Sequence, residues 1–201
     1  MFVPLVIAIS GTPGTGKTGV GQLLVKRLKS TLIELSHLAK EQQLLLGKDV
    51  ERETLIADTE KLQQHLVNLI RESPKTYVIV GHFADEVPEK ILEFLVVLRC
   101  NPITLTQRLR NRQWSENKIL ENVQAEILGE CTMQALLRHK RDKVFEIDTT
   151  EATLEEVTDA IEVIQTGTSH EYTVGRISWL STLDPGIIHE IMEENKLPSK
   201  S

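Results

Sequence analysis

The feature that most constrains this chain lies in the run "IAISGTPGTGKTGVGQLL", where residues 11–18 satisfy the phosphate-binding pattern G-x-x-x-x-G-K-[ST] letter for letter. That pattern works only between a strand and a helix, and an apolar run ends at Ser10 while an amphipathic stretch opens near Lys17. Glycines let the backbone curl until successive N–H groups converge on one anion, and Gly14 and Gly16 reach positive φ at little cost. The helix N-terminus adds its partial positive charge. In this arrangement Lys17 bridges the β- and γ-phosphates of a nucleotide, and Thr18 offers its hydroxyl to Mg²⁺. The loop therefore predicts nucleotide binding on an α/β domain. It does not name the reaction, because kinases, GTPases, motors and assembly ATPases share it.

Short apolar runs alternate with amphipathic stretches along the chain, the pattern of an α/β protein with a parallel sheet. Strands are predicted at residues 5–10, 31–35, 77–81, 94–99 and 144–148. The third and fourth are continuously apolar and rich in β-branched residues, which suits strands covered on both faces. Helices are predicted from Lys17 to about residue 30, over 58–71 with Asp58 as N-cap and Pro74 closing the segment, and after Asn101–Pro102. A further helix spans residue 115 to roughly 140, and another covers 153–165 behind the capping box "TLEE". Beyond residue 165 the text turns to Gly, Thr and Ser without helical period, then "DPGIIHEIMEENK" reads as a short capped helix. The expected division is a domain over 1–165 and a C-terminal extension over 166–201, which folds back on the domain or serves a partner.

Bulk properties narrow the class. A chain of 201 residues is one domain, or one with an appendage. Aromatics at 4% mean that the core must be built from Leu, Ile and Val. A net charge of -6 argues against broad electrostatic binding of nucleic acid or membrane. Cys100 and Cys131 match no zinc or redox spacing and read as buried thiols in a reducing compartment. The apolar run before Ser10 lacks a basic flank and a cleavage site and is too short to span a bilayer. A cytoplasmic protein without membrane contact is expected.

A GTPase would carry N-K-x-D for the guanine, yet "NKIL" at Asn117 has Leu120 where Asp is required. Motors and large ATPases need more chain. A more telling stretch is "QRLRNRQWSENK", in which Arg108 and Arg112 lie four apart and share a helix face while Arg110 points elsewhere. Arginines closing over a phosphoryl group stabilise the charge on its equatorial oxygens during transfer. An exposed basic face has the same spacing, so the two readings stand together at this point.

Taken together, "SGTPGTGKT", "AKEQQL", "VERETLIADTEKL", "VGHFADEVPE" and "VVLRCNPITLTQRLRNRQWSENKILENVQAEI" resemble the adenylate kinase isoenzyme 6 (CINAP) family, more its archaeal than its eukaryotic branch. The similarity covers roughly residues 1–165 and is most specific over 99–127. It implies a P-loop nucleoside monophosphate kinase fold, with a five-stranded parallel sheet, a monophosphate-binding region over about 34–57 and a short lid over about 111–121. It also implies ATP and Mg²⁺ as cofactors, adenylate kinase and ATPase activity, and a small-subunit ribosomal protein as partner. By position, the ATP phosphates would meet Gly14, Thr15, Gly16, Lys17, Thr18 and Gly19. Arg112 would be the lid arginine on the transferred phosphate with Arg108 supporting it, and residues 149–152 would pack against the adenine.

Departures from the family pattern carry consequences. Gly19 stands where Ser or Thr is common, which removes a side-chain phosphate contact and keeps the backbone N–H. His37 and Lys40 stand where eukaryotic members have Asp and Arg, and lysine cannot reproduce a bidentate grip on a monophosphate. Gly81 precedes His82 where an acid is expected, leaving Asp85 as the nominee for the metal-side carboxylate. His82, at the strand end, is positioned to orient a water toward the γ-phosphate. Arg52 and Asp58 are candidate acceptor contacts or a local ion pair, Trp114 reads as a hydrophobic anchor for the lid, and Trp179 as docked on the domain. Two functions are carried forward: an adenylate kinase turning ATP and AMP, or another monophosphate, into two diphosphates, and an ATPase that assists small-ribosomal-subunit assembly.

Overall fold

The computed structural model describes residues 5–49, 54–73, 75–167 and 170–198. Five parallel strands form the central sheet: β1 (Val6–Gly11), β2 (Thr31–Glu34), β5 (Tyr77–Val80), β6 (Phe94–Arg99) and β7 (Val144–Asp148), in the order β2-β5-β1-β6-β7. All five agree with the predicted strands within a residue at each end. Successive residues of a strand face opposite sides, and the two faces bury separate clusters. Val6 and Ala8 of β1 join Leu95 and Val97 of β6 on one side, with Leu62, Leu66 and Ile70. Ile7 and Ile9 join Val96 and Leu98 on the other, with Leu24, Val157 and Ile161. The register Ile7↔Phe94 and Ala8↔Leu95 brings these sets level.

Helix α1 (Lys17–Leu28) begins inside the phosphate loop, and α7 (Leu154–Gln165) packs beside it. The box that opens α7 is formed: the Glu156 N–H donates to Thr153 Oγ1 at 3.2 Å, and the Thr153 N–H donates to Glu156 Oε2 at 2.8 Å. Asp58 caps α3 (Thr59–Glu72), accepting from the Lys61 N–H at 3.2 Å. Its other oxygen pairs with Lys61 Nζ at 2.9 Å, so Asp58 is a helix cap with a local ion pair. Asn101 and Pro102 open α4 (Pro102–Asn111) as the sequence predicts.

Three expectations change. Residues 34–57 hold a short helix α2 (Leu35–Glu41) and an antiparallel hairpin, β3 (Leu45–Asp49) with β4 (Thr54–Ala57), outside the main sheet. Leu35, placed in a strand by its apolarity, opens that helix instead. Arg52 and Pro74 lie outside the described residues. The single helix expected from 115 to about 140 is two: α5 (Glu116–Leu128) and α6 (Glu130–Arg138). Gly129 between them stands at φ 66°, ψ 35°, left-handed geometry that ends one helix and starts the next. The region expected as a lid at 111–121 is the turn between α4 and α5 followed by the first turns of α5.

The extension docks on the domain. Helices α8 (Trp179–Thr182) and α9 (Pro185–Met192) pack on α4 and α5, where Trp179, Leu183 and Ile191 join Leu105, Leu109, Ile119 and Val123 in a third core. Residues 170–198 are therefore part of the folded unit rather than an appendage to it.

The Gly129 break yields a stability prediction. A Cβ there would sit 3.5 Å from the Arg99 guanidinium nitrogens, an ordinary contact, so the cost of alanine is conformational. Gly129→Ala should lower unfolding free energy by about 1 kcal/mol. Urea unfolding checks this, and an unchanged midpoint would mean that the helix break has another origin.

Candidate nucleotide-binding site

Gly11, Gly14 and Gly16 all take positive φ (137°, 99° and 99°), which gives the phosphate loop its curl. A Cβ on Gly11 would fall 2.4 Å from the Leu98 carbonyl oxygen, so that position also requires glycine for space, while one on Gly14 would fall 2.7 Å from Leu105 Cδ1, a side-chain tip that would have to shift. The Thr15 hydroxyl closes the turn on the Thr12 carbonyl at 2.9 Å.

The loop forms one wall of a cleft of about 310 Å³ at the carboxyl ends of β1, β2 and β5, where open α/β sheets take their ligands. Lys17, Thr18, Gly19, Glu34, Ser36, His82 and Arg112 line it with the loop glycines. Thus Gly14, Gly16, Lys17, Thr18, Gly19, His82 and Arg112, named from widely separated parts of the sequence, share one space. Thr15 lies buried beneath it. A larger hollow of about 490 Å³, between α3 and the turn at Pro88 and Lys90, has no phosphate loop and no glycine-shaped wall.

Lys17 is held ready for an anion. Its ammonium donates to the carbonyls of Gly11 at 2.6 Å and Thr12 at 3.0 Å. Burial lowers its pKa to about 8; Cys131 and Glu126 nearby work against that drop, and the Arg112 charge adds to it. His82 is pushed below the usual histidine value, first by desolvation and then by the Lys17 charge, so its imidazole is neutral at pH 7. Phe83 meets its ring edge-on at 5.8 Å between centroids.

The structure separates the remaining nominees. Arg108 turns to the loop after β7, donating to the carbonyls of Thr149 at 2.7 Å and Thr150 at 3.0 Å. It fixes the segment that the resemblance assigns to adenine and makes no wall of the cleft. Asp85 does not line the cleft either. The 3-10 turn Ala84–Glu86 directs it inward, where it is buried with its carboxylate 3.2 Å from Arg138 of α6. The carboxylate that does line the cleft is Glu34, at the end of β2. With the exposed Thr18 hydroxyl it supplies oxygen donors of the kind magnesium prefers, so the residues present fit that ion. Gly19 has a close neighbour: a Cβ there would meet Leu154 Cδ1 at 3.1 Å and Cδ2 at 3.2 Å, a tight contact with the tip of the first side chain of α7, which is half-exposed and can shift.

Sequence reasoning missed a buried network beneath the loop. Arg99, Glu126 and Glu146 are almost fully buried, at 3%, 1% and 4% exposure. Glu126 Oε1 accepts from Arg99 Nε at 2.7 Å, the Cys100 N–H at 3.2 Å and Trp179 Nε1 at 2.9 Å, while Oε2 accepts from the Thr12 hydroxyl at 2.6 Å. Two signals were present in the sequence. Arg99 ends an otherwise apolar strand, and Glu126 shares the buried helical face of Ile119 and Val123.

Residues 7–129 match the family described as AAA domain. A protein named "Putative adenylate kinase" from Methanocaldococcus jannaschii is 35% identical over 173 residues, spanning 86% of this chain and 92% of that one. A protein of the same name from Archaeoglobus fulgidus is 36% identical over 188 residues, 91% of this chain and 96% of the other. The chain belongs to the family of these proteins. Among solved structures, the family's fold is matched by a shikimate kinase from Bacteroides thetaiotaomicron, with TM-score 0.55 at 15% identity over 81% of this chain and 98% of that one. A thymidylate kinase from Candida albicans matches with TM-score 0.52 at 15% identity, covering 83% and 93%. These likenesses establish the P-loop kinase fold. No helix among the described residues is long and apolar enough to cross a membrane.

Lys17 gives a pH prediction for this family member. With its pKa near 8 in the free protein, a bound phosphate anion must raise that value, so the complex holds more protons than the free chain above pH 8. Binding should take up a proton, and affinity should weaken as pH rises through 8, by at most about tenfold per unit. Calorimetry with MgADP at pH 8.5, in two buffers of different ionisation enthalpy, measures the uptake; none would show that Lys17 is not the titrating group.

Proposed function

We propose that this protein is a nucleoside monophosphate kinase of the adenylate kinase isoenzyme 6 type, transferring the γ-phosphate of ATP to AMP or another monophosphate. The observation that carries this reading is the shared cleft. It brings the phosphate loop, Lys17, Arg112 and His82 together at the carboxyl ends of three strands, with the α2 and β3–β4 region beginning at its edge. The names of its relatives point the same way.

In this reading the loop N–H groups and Lys17 hold the donor phosphates. Arg112, at the hinge between α4 and α5, closes over the transferred group and neutralises the charge on its equatorial oxygens. Thr18 and Glu34 would hold magnesium, which would neutralise phosphate charge when bound. Arg108 keeps the base-side loop in place through its two carbonyl contacts. The acceptor sits toward residues 34–57, where His37 and Lys40 are both exposed on α2. A single lysine offers a point charge rather than a planar fork, so acceptor binding should be weak.

A second reading is an ATPase that assists small-subunit ribosomal assembly, and one observation favours its hydrolytic half. The neutral His82 imidazole lines the cleft beside Lys17, where it can orient a water toward the γ-phosphate. ADP formation from ATP, measured with and without AMP, separates the two. Strong stimulation by AMP with two ADP formed per ATP supports the kinase, and phosphate release indifferent to AMP would replace it with the ATPase.

Two substitutions test the roles. Arg112→Ala should lower kcat by about 10²–10³ with little change in ATP affinity, because its charge pairs best with the transition state. A loss confined to ATP affinity would make it a ground-state contact. Glu34→Gln should raise the magnesium concentration needed for half-maximal turnover; an unchanged magnesium dependence would remove Glu34 from the metal site.

A further inference from the structure

The buried network beneath the phosphate loop is built from both halves of the chain. Arg99 ends β6 next to the loop, Glu126 comes from α5 and Glu146 from β7. Thr132 of α6 donates its hydroxyl to Glu146 Oε1 at 2.7 Å. The C-terminal extension then supplies one donor to each carboxylate: the Gly175 N–H to Glu146 Oε2 at 2.8 Å, and Trp179 Nε1 to Glu126 Oε1 at 2.9 Å. Two carboxylates face one guanidinium, so the cluster is short of positive charge and depends on neutral donors. Those donors are the Cys100 N–H, Thr12, Thr132, Gly175 and Trp179.

Each oxygen of Glu126 has a distinct task. Oε1 takes three donors, which fix the plane of the carboxylate. Oε2 is thereby aimed at the phosphate loop, where the Thr12 hydroxyl donates to it at 2.6 Å. The Thr12 carbonyl in turn accepts from Lys17 Nζ and from the Thr15 hydroxyl. A continuous chain of contacts thus runs from Trp179 through Glu126 and Thr12 to Lys17.

We infer that Glu126 is a positioning residue for the phosphate loop and that Trp179 of the C-terminal extension sets its orientation, which makes the extension a working part of the nucleotide site. The inference deepens the nucleotide-site reading and rests on it. Coupling of this kind is reciprocal: a nucleotide that engages the loop changes the environment of the Trp179 indole, and loss of the indole N–H loosens the loop.

The test is a double-mutant cycle on MgADP binding with emission as a second readout. Thr12→Val removes the hydroxyl and keeps the shape, whereas Trp179→Phe removes the indole N–H and keeps an aromatic ring. Each should weaken MgADP binding by roughly three- to tenfold, the range expected for one lost hydrogen bond. Thr12→Ser, which returns the hydroxyl, should recover most of the first loss. The double variant should be no weaker than the worse single variant, because both break the same chain.

The sequence holds two tryptophans, so Trp114→Phe isolates the Trp179 emission. In that background MgADP should shift the emission, and Thr12→Val should shift it without nucleotide. Multiplicative losses in the double variant, or folded single variants with unchanged affinity, would overturn the inference. Should Trp179→Phe fail to fold, the emission comparison of Thr12→Val with Thr12→Ser decides alone, an unchanged spectrum counting against it. Wild-type protein that fails to bind MgADP would defeat the nucleotide-site reading, and the same emission comparison would still decide this one.

Discussion

Everything near the phosphate loop depends on one buried cluster, Glu126–Arg99–Glu146. Isolated charges do not survive burial at this depth, because the desolvation cost per ion is several kcal/mol even after relaxation. They are kept here by mutual pairing and by five neutral donors drawn from the loop, the β6–α4 junction, α6 and the extension. Removal of one partner from such a cluster typically costs about 3–5 kcal/mol, since an uncompensated charge is left behind. An apolar replacement of all three would fill the same volume, but it would hold neither Thr12 nor the extension in a set orientation. The network joins Thr12 of the loop to Gly175 and Trp179 of the extension through buried contacts.

The cluster also shapes the electrostatics above it. Lys17 would lose more of its basicity to burial were it not for Glu126, whose charge opposes the fall. Above the loop, Arg112 acts in the other direction. The lysine therefore sits between a negative floor and a positive roof, and an entering phosphate tips that balance toward full protonation. His82 lines the same cleft, and desolvation and the Lys17 charge both push its pKa down.

The sheet was legible in the sequence because its strands are continuously apolar and its turns carry strong signals. Asn101–Pro102, Asp58 and the Thr153–Glu156 box each satisfy donors that a helix start leaves open, and each is found doing so. The loop was legible because a positive φ and a close backbone approach both demand glycine. What escaped were features set by distant partners. Gly129 looked like one more residue in a long helical run, and only its left-handed backbone shows the break. Strands β3 and β4 pair with each other and with no other strand among the described residues, and Leu46 and Ile56 are both exposed, so no buried apolar face announces them. Asp85 was nominated by its distance along the chain from β5, but three residues suffice for a 3-10 turn to reverse its direction.

Gly19 shows how a departure from a family pattern can be structural before it is functional. Read alone, the missing hydroxyl looks like a weakened phosphate contact. In the fold, Leu154 of α7 lies against that position, and it remains 45% exposed on its outer side. A Cβ at 19 asks the tip of the Leu154 side chain to give by a few tenths of an ångström, while Arg27 of α1 pairs with Asp159 and Glu162 of α7. The backbone N–H at 19 does not depend on the side chain, so glycine there keeps that donor for an anion. The same logic governs Arg108. Its guanidinium is turned to the Thr149 and Thr150 carbonyls and does not line the cleft. The arginine among the cleft-lining residues is Arg112, the C-cap of α4 at the short turn into α5, which is why the proposed transfer role rests on it rather than on Arg108.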